Sequence, residues 1–274
     1  MTTTESRNPD TMHIDRADTA TMLRLIQDGN RRSVDAVEEA LADVAVAVDA
    51  VADAIGKGGR LIYLGAGTSG RLAVLDAAEC PPTYGTDPGT VVALIAGGPS
   101  ALVHASENAE DSAEAGRRDV LALAPGANDV VMGVSASGNA SYVAEGLRAA
   151  KERGARTVSL SSNRDCAIAR IADIPIVTET GAEVVAGSTR MKAGNAQKMV
   201  LNMITTCAMI KTGKVYENVM INLRPTNAKL RRRMIGIVED LGGVGADEAE
   251  RLLEENGFRL RPAIEAARGT RLFP

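Results

Sequence analysis

From Arg60 onward, short unbroken apolar runs alternate with longer stretches of helical spacing. Residues 61–64 (LIYL), 90–96 (TVVALIA), 129–134 (DVVMGV), 157–160 (TVSL) and 174–178 read as strands; all but 157–160 lack polar alternation, as strands covered on both faces do. Strands alternating with helices predict an α/β fold with a doubly wound, parallel, five-stranded sheet. Ligands bind such sheets at the carboxyl ends of the strands. Upstream, residues 1–17 are polar, contain Asn8-Pro9 and read as an extended arm. Asp18 suits the cap of a short helix over 19–28, with Met22, Leu23, Leu25 and Ile26 as its apolar positions. A longer helix is expected from Ser33. Val34, Val37, Leu41, Val44, Val48, Val51 and Ile55 recur in steps of three and four until Gly56 and Gly58-Gly59 end the pattern. This aliphatic seam suits a cover for the sheet or a contact with a second copy equally well. Charged helical patterns after Thr226, including the basic run 229–234, predict a small appended bundle with a solvated basic face. The expected division is an N-terminal arm with helices (1–56), the α/β domain (57–220) and a C-terminal bundle (221–274).

Two of the strand ends lead into polar, glycine-bearing loops. The first is Gly65-Ala66-Gly67-Thr68-Ser69-Gly70-Arg71. Its glycines permit dihedrals and close approaches that a Cβ would block. Its hydroxyls and the free amides of the following helix make an anion cradle, although an ordinary strand-to-helix turn has the same composition. The second is Val134-Ser135-Ala136-Ser137-Gly138-Asn139. Two such loops at one sheet edge suggest a phosphate ester gripped from both sides, by Gly67, Thr68 and Ser69 and by Ser135 and Ser137. A third stretch, residues 187–194 (GSTRMKAG), opens a long helix reaching about Lys211 and places Arg190 and Lys192 in its first turn. Cations there oppose the helix dipole. Either an anionic partner lies nearby or both are solvated.

Two groups of carboxylates are candidates for proton transfer. Pro81 and Pro82 are expected to stop the helix that follows the first loop, which puts Glu79 in its last turn. An anion is disfavoured there, and burial would act in the same direction, so Glu79 suits a proton donor, although a solvated glutamate at a helix end is the commoner pattern. Further on, His104, Glu107 and Glu110 are expected on one helix face. Their spacing does not select Glu110 over Glu107 as a base, and a solvated acidic face has the same pattern.

Composition narrows the function classes. Aromatic residues make up 2% of the 274 and Trp is absent, which argues against single-stranded nucleic-acid binding by stacking. A net charge of −4 leaves no electrostatic footprint for DNA or RNA. Cys80, Cys166 and Cys207 are widely spaced and the two histidines are His13 and His104, so neither a zinc site nor a disulfide framework is expected. No apolar run approaches membrane-span length and the N-terminus lacks an apolar leader. A cytoplasmic protein without membrane or nucleic-acid partners is the expectation.

The segments LIYLGAGTSGRL, DAAECPPTYG, ENAEDS and GSTRMKAGNAQK, with the N-terminal ESRNP and HIDR, occur in order over about residues 5 to 230. Together they resemble the N-acetylmuramic acid 6-phosphate etherase family of the sugar isomerase (SIS) domain superfamily. The resemblance implies conversion of N-acetylmuramic acid 6-phosphate and water to N-acetylglucosamine 6-phosphate and D-lactate, by elimination and then hydration, in cell-wall amino sugar recycling. It implies no metal or cofactor, and a homodimer. The family's two catalytic glutamates fall on Glu79 (AAECPP), assigned here as proton donor, and Glu110 (NAEDS), assigned as the partner acid/base; the resemblance thereby selects Glu110 over Glu107. The SIS phosphate loops fall on Gly67, Thr68 and Ser69 and on Ser135 and Ser137. Arg190 and Lys192 are expected to face the lactyl carboxylate or the phosphate, and His104 is a candidate for opening the sugar ring. The second loop departs from the family: SASGNASY replaces an SGRTPY-like sequence, and Ala140 removes a hydroxyl, so that either affinity falls or a neighbour such as Asn139 or Ser141 substitutes. The C-terminal region is also shorter than usual. A sugar-phosphate isomerase on the same fold, and a non-catalytic sugar-phosphate sensor, are the competing readings.

Overall fold

The computed structural model describes residues 3–106, 108–223, 225 and 227–273. The five apolar runs form β1 (Leu61–Gly65), β2 (Val91–Ile95), β3 (Val130–Val134), β4 (Arg156–Ser161) and β5 (Ile174–Val177). They make one parallel sheet in the order β2-β1-β3-β4-β5. The chain leaves β1, adds β2 on one side, then crosses back to add β3 on the other. The loops after β1 and β3 therefore part at the topological switch point, where a crevice opens. Gly65 and Val134 are register partners, so both loops start level.

Among the described residues, seven helices accompany the sheet: α1 (Thr19–Glu39), α2 (Leu41–Gly56), α3 (Gly67–Tyr84), α4 (Ala113–Ala122), α5 (Ser141–Glu152), α6 (Ala167–Ile171) and α7 (Lys192–Lys211). Tyr142, Val143 and Leu147 of α5 and Ile168 of α6 pack against Ile62, Leu64 and Val131 on one face. α2 packs on β1, β3 and β5. The chain divides into two compact units, Met1–Ala78 with Gly89–Ala208 and Glu79–Pro88 with Met209–Pro274. The second holds the hairpin β6 (Val215–Tyr216) and β7 (Val219–Met220) and helices α8 (Ala228–Gly242), α9 (Ala246–Glu255) and α10 (Leu260–Arg268). Met234, Val238, Leu253, Leu260 and Ile264 form its core with Ile221 and Leu223.

Three boundaries differ from the sequence reading. α1 runs unbroken through Gly29, because that glycine serves close packing: a Cβ there would lie 2.8 Å from Val184 Cγ2. The break falls instead at Ala40, which splits the aliphatic seam. Val44, Val48 and Val51 are buried in α2, whereas Val34 and Leu41 stay exposed at 55% and 45%. α3 passes through Pro81 and Pro82 to Tyr84. The prolines remove two N–H donors close to the helix end, but Pro81 O still accepts from Gly85 N at 3.0 Å. Glu79 is therefore a full turn from the terminus and exposed, and neither the helix-end nor the burial argument holds for it in the single chain. The described part of the N-terminal arm carries three 3-10 turns (Thr3–Glu5, Pro9–Thr11 and Ile14–Arg16) and is not extended throughout.

Candidate active site

The first loop uses its three glycines differently. Gly67 has φ +53°, open to glycine at no steric cost. Gly65 and Gly70 face each other: a Cβ on Gly65 would lie 2.8 Å from Gly70 N, and one on Gly70 would lie 2.8 Å from Gly65 O. The strand end and the first turn of α3 therefore touch backbone to backbone, which aims Thr68 and Ser69 across the strand ends. In the second loop Gly138 has φ +73°, and a Cβ there would meet Cys166 Sγ at 2.2 Å. Ser135 Oγ accepts from Gly138 N at 3.1 Å and Ser137 Oγ from Asn139 N at 3.2 Å. Each hydroxyl thus fixes its own loop as an acceptor and keeps its proton to donate elsewhere.

A cavity of about 240 Å³ opens between the loops, lined by Gly67, Thr68, Ser69, Ser135 and Ser137 together with Glu110, Glu5, Gly187 and Thr189. A second cavity of about 260 Å³ shares Ala66, Gly67 and Glu110 with it and adds Arg71, Ser106 and Asn108. The two are lobes of one cleft, and Glu110 stands where they meet. The 240 Å³ lobe is rich in hydroxyls; the other carries a guanidinium. Arg71 also braces the wall of that lobe, donating to Leu102 O at 3.1 Å and His104 O at 3.2 Å.

Gly67, Thr68, Ser69, Ser135, Ser137 and Glu110 are thus brought together, and other candidates are not. Glu110 sits on a 3-10 turn, Ala109–Asp111, rather than a helix, entered through Asn108 in the left-handed region at φ +60°. Glu107 lies outside the described residues. His104 is exposed and contributes its carbonyl to Arg71. The cleft's lining comes wholly from the first unit, and Glu79 belongs to the second. Arg190 precedes α7 and lines a different cavity, with Val34, Leu72 and Met199. Lys192 is the first residue of α7 and buried; burial pushes its ammonium below the ordinary lysine range. The anion expected at this helix start is internal: the buried Glu183 carboxylate accepts from Lys192 N at 3.0 Å and Ala193 N at 2.9 Å. Asn139 is turned toward α6, where its Oδ1 accepts from Ala167 N at 3.1 Å, and among the described residues neither it nor Ser141 lines the cleft.

Sequence reasoning missed Arg71 and Glu5. Arg71 closes the first glycine motif, and its position directly after Gly70 in the first turns of α3 was the available signal. Glu5 is delivered by the arm. Thr3 N and Oγ1 donate to Asn163 Oδ1 at 3.0 and 2.7 Å, and Asn163 Nδ2 donates to Thr4 Oγ1, Ala136 O and Ser137 O at 3.2, 3.1 and 3.3 Å. One amide ties the arm to the second hydroxyl loop. Thr11 Oγ1, donating to Val184 O at 2.8 Å, anchors the arm further along.

Comparison with known proteins agrees with this geometry. The family model described as the glucokinase regulatory protein N-terminal SIS domain matches residues 43–151, and the SIS domain model matches residues 102–207. Among solved structures, the phosphoheptose isomerase from Neisseria gonorrhoeae aligns with a TM-score of 0.51 at 20% identity, over 70% of this chain and 97% of that one. The phosphoheptose isomerase from Francisella tularensis also has a TM-score of 0.51, at 16% identity over 71% of this chain and 98% of its own. These likenesses establish the SIS fold. N-acetylmuramic acid 6-phosphate etherase from Salmonella agona (strain SL483) is 52% identical over 260 residues, 95% of this chain and 88% of the relative. The protein of that name from Salmonella typhi is 51% identical over the same shares. With two hydroxyl loops facing each other at the switch point, a glutamate between the lobes and half of all aligned positions shared, the chain belongs to the N-acetylmuramic acid 6-phosphate etherase family.

Proposed function

We propose that the chain cleaves the D-lactyl ether of N-acetylmuramic acid 6-phosphate, giving N-acetylglucosamine 6-phosphate and D-lactate. Glu110, standing between a hydroxyl-lined lobe and an arginine-bearing lobe, is the observation that carries this reading beyond the family name. The phosphate occupies the hydroxyl lobe, held by Thr68, Ser69, Ser135 and Ser137 and by the amides of the loops. The open-chain aldehyde acidifies C2–H. Glu110 takes that proton, the C3–O bond breaks with its electron pair going to the lactyl oxygen, and Glu79 of a second copy, since it does not line the cleft of its own chain, supplies the proton that completes D-lactate. Water then adds across the unsaturated aldehyde, its oxygen to C3 and a proton to C2. Arg71 faces the lactyl carboxylate, one of the two roles the sequence suggested for Arg190 and Lys192. An enzymatic assay for D-lactate tests the reading: release in step with N-acetylglucosamine 6-phosphate supports it, and aldose–ketose interconversion without lactate refutes it.

Ser69→Ala is expected to raise KM about 10-fold and to change kcat by less than about threefold, because it removes one charge-assisted hydrogen bond remote from the bond that breaks. Steady-state kinetics check this, and an unchanged KM would count against the cradle.

We also infer a cytoplasmic homodimer. Among the described residues no helix is long and apolar enough to cross a membrane. Val34, Leu72 and Met199 line one open cavity of about 470 Å³. Leu75 and Met203, on the same faces of α3 and α7 by helical spacing, are 50% and 36% exposed. Leu75→Glu is expected to shift sedimentation toward a monomer; a wild-type profile that is already monomeric would remove the inference.

A further inference from the structure

Of the three serines in the phosphate lobe, Ser69 alone has its proton drawn away from the cavity. Its Oγ donates to Gln197 Oε1 at 2.9 Å, whereas Ser135 and Ser137 accept from their own loops. Gln197, on α7, is 1% exposed. Its Nε2 is sealed from solvent and has no hydrogen-bond partner among the described residues. A buried amide N–H without an acceptor is costly and uncommon. A half-turn of the side-chain amide removes the conflict. Nε2 then donates to Ser69 Oγ, and the freed Ser69 proton points at whatever anion fills the lobe. The carbonyl oxygen takes the place left by Nε2, where a missing partner is better tolerated.

We propose that Gln197 is a positioning residue for phosphate recognition: presenting its N–H to Ser69 turns that hydroxyl from acceptor into donor toward the substrate phosphate. Gln197 acts through Ser69 and does not itself line the cleft. The inference rests on the reading of this lobe as the phosphate site, and the experiment separates the two. Gln197→Met keeps the volume and removes both ends of the amide. Gln197→Glu, when ionised, only accepts, so it holds the Ser69 proton and adds negative charge behind the cradle.

Binding of N-acetylglucosamine 6-phosphate is measured by calorimetry, beside KM and kcat for lactate release, in each Gln197 variant alone and combined with Ser69→Ala. Gln197→Met is expected to raise Kd and KM about fivefold and Gln197→Glu more than about 30-fold, with kcat within about twofold of wild type. In the Ser69→Ala background Gln197→Met is expected to add less than about twofold. A Gln197→Met effect equally large in the Ser69→Ala background, or no effect where Ser69 is intact, would overturn the proposal. The Met pair decides the matter even where Gln197→Glu does not fold. Absence of lactate release by the wild type would defeat the assigned activity while the calorimetric comparison still judged Gln197.

Discussion

Glu79→Gln and Glu110→Gln are each expected to lower D-lactate release by about 10²- to 10⁴-fold, the range lost when a positioned acid or base is removed. Both changes keep the shape of the side chain and remove its capacity to carry a proton. Both carboxylates are exposed, so the melting temperature of either variant should match wild type; substitutions away from packed groups rarely exceed about 0.5 kcal/mol. Substrate binding should also be nearly unchanged, since the phosphate loops do the holding. A fall in kcat and in kcat/KM by the same factor is the signature of a contact made in the transition state. Lactate release at the wild-type rate by either variant would refute its assignment.

The largest effect on stability is expected at Asp76, which is not assigned to the chemistry. Its carboxylate is buried on α3 and accepts from Tyr63 OH at 2.9 Å, Asn202 Nδ2 at 2.6 Å and Thr205 Oγ1 at 3.1 Å. It joins β1, α3 and α7 from inside the first unit. Asp76→Ala leaves three donors without this acceptor, at a cost of about 3–5 kcal/mol in the unfolding free energy. Burial outweighs the three donors and lifts the carboxyl above the ordinary aspartate value of 3.8. The sign follows: the folded state binds this proton more tightly than the unfolded chain. The stability linked to it is fully present below pH 3.8 and is lost as pH rises through the lifted native value. Denaturant unfolding at neutral pH and at about pH 4 measures both; an Asp76→Ala protein as stable as wild type would show that the network contributes nothing.

The sheet was legible because burial on both faces leaves a direct trace, apolar runs without polar alternation in every strand but β4 (RTVSLS), and because each run ended at a glycine or polar loop. The hydroxyl-lined lobe was legible for a related reason: two hydroxyl loops following β1 and β3 meet at a switch point that strand order alone creates. Signals that act through tertiary packing misled. The gap expected between Asp28 and Ser33 is continuous helix, and Gly29 within it packs closely on Val184. Pro81 and Pro82 looked like a stop and lie within α3. Lys192 looked like a ligand for an external anion, and the buried Glu183 carboxylate already caps its helix. Glu5, Asn163 and Gln197 left no local trace, since each depends on partners more than a hundred residues away.

The most direct test is exchange of the substrate's C2 proton in D2O, followed together with lactate release. Glu110 is assigned to C2 and Glu79 to the departing oxygen, so Glu79→Gln is predicted to incorporate deuterium at C2 while releasing little lactate, and Glu110→Gln to do neither. Deuterium exchange retained in Glu110→Gln and lost in Glu79→Gln, or lactate released by wild type in D2O with the sugar product free of deuterium at C2, would contradict the account.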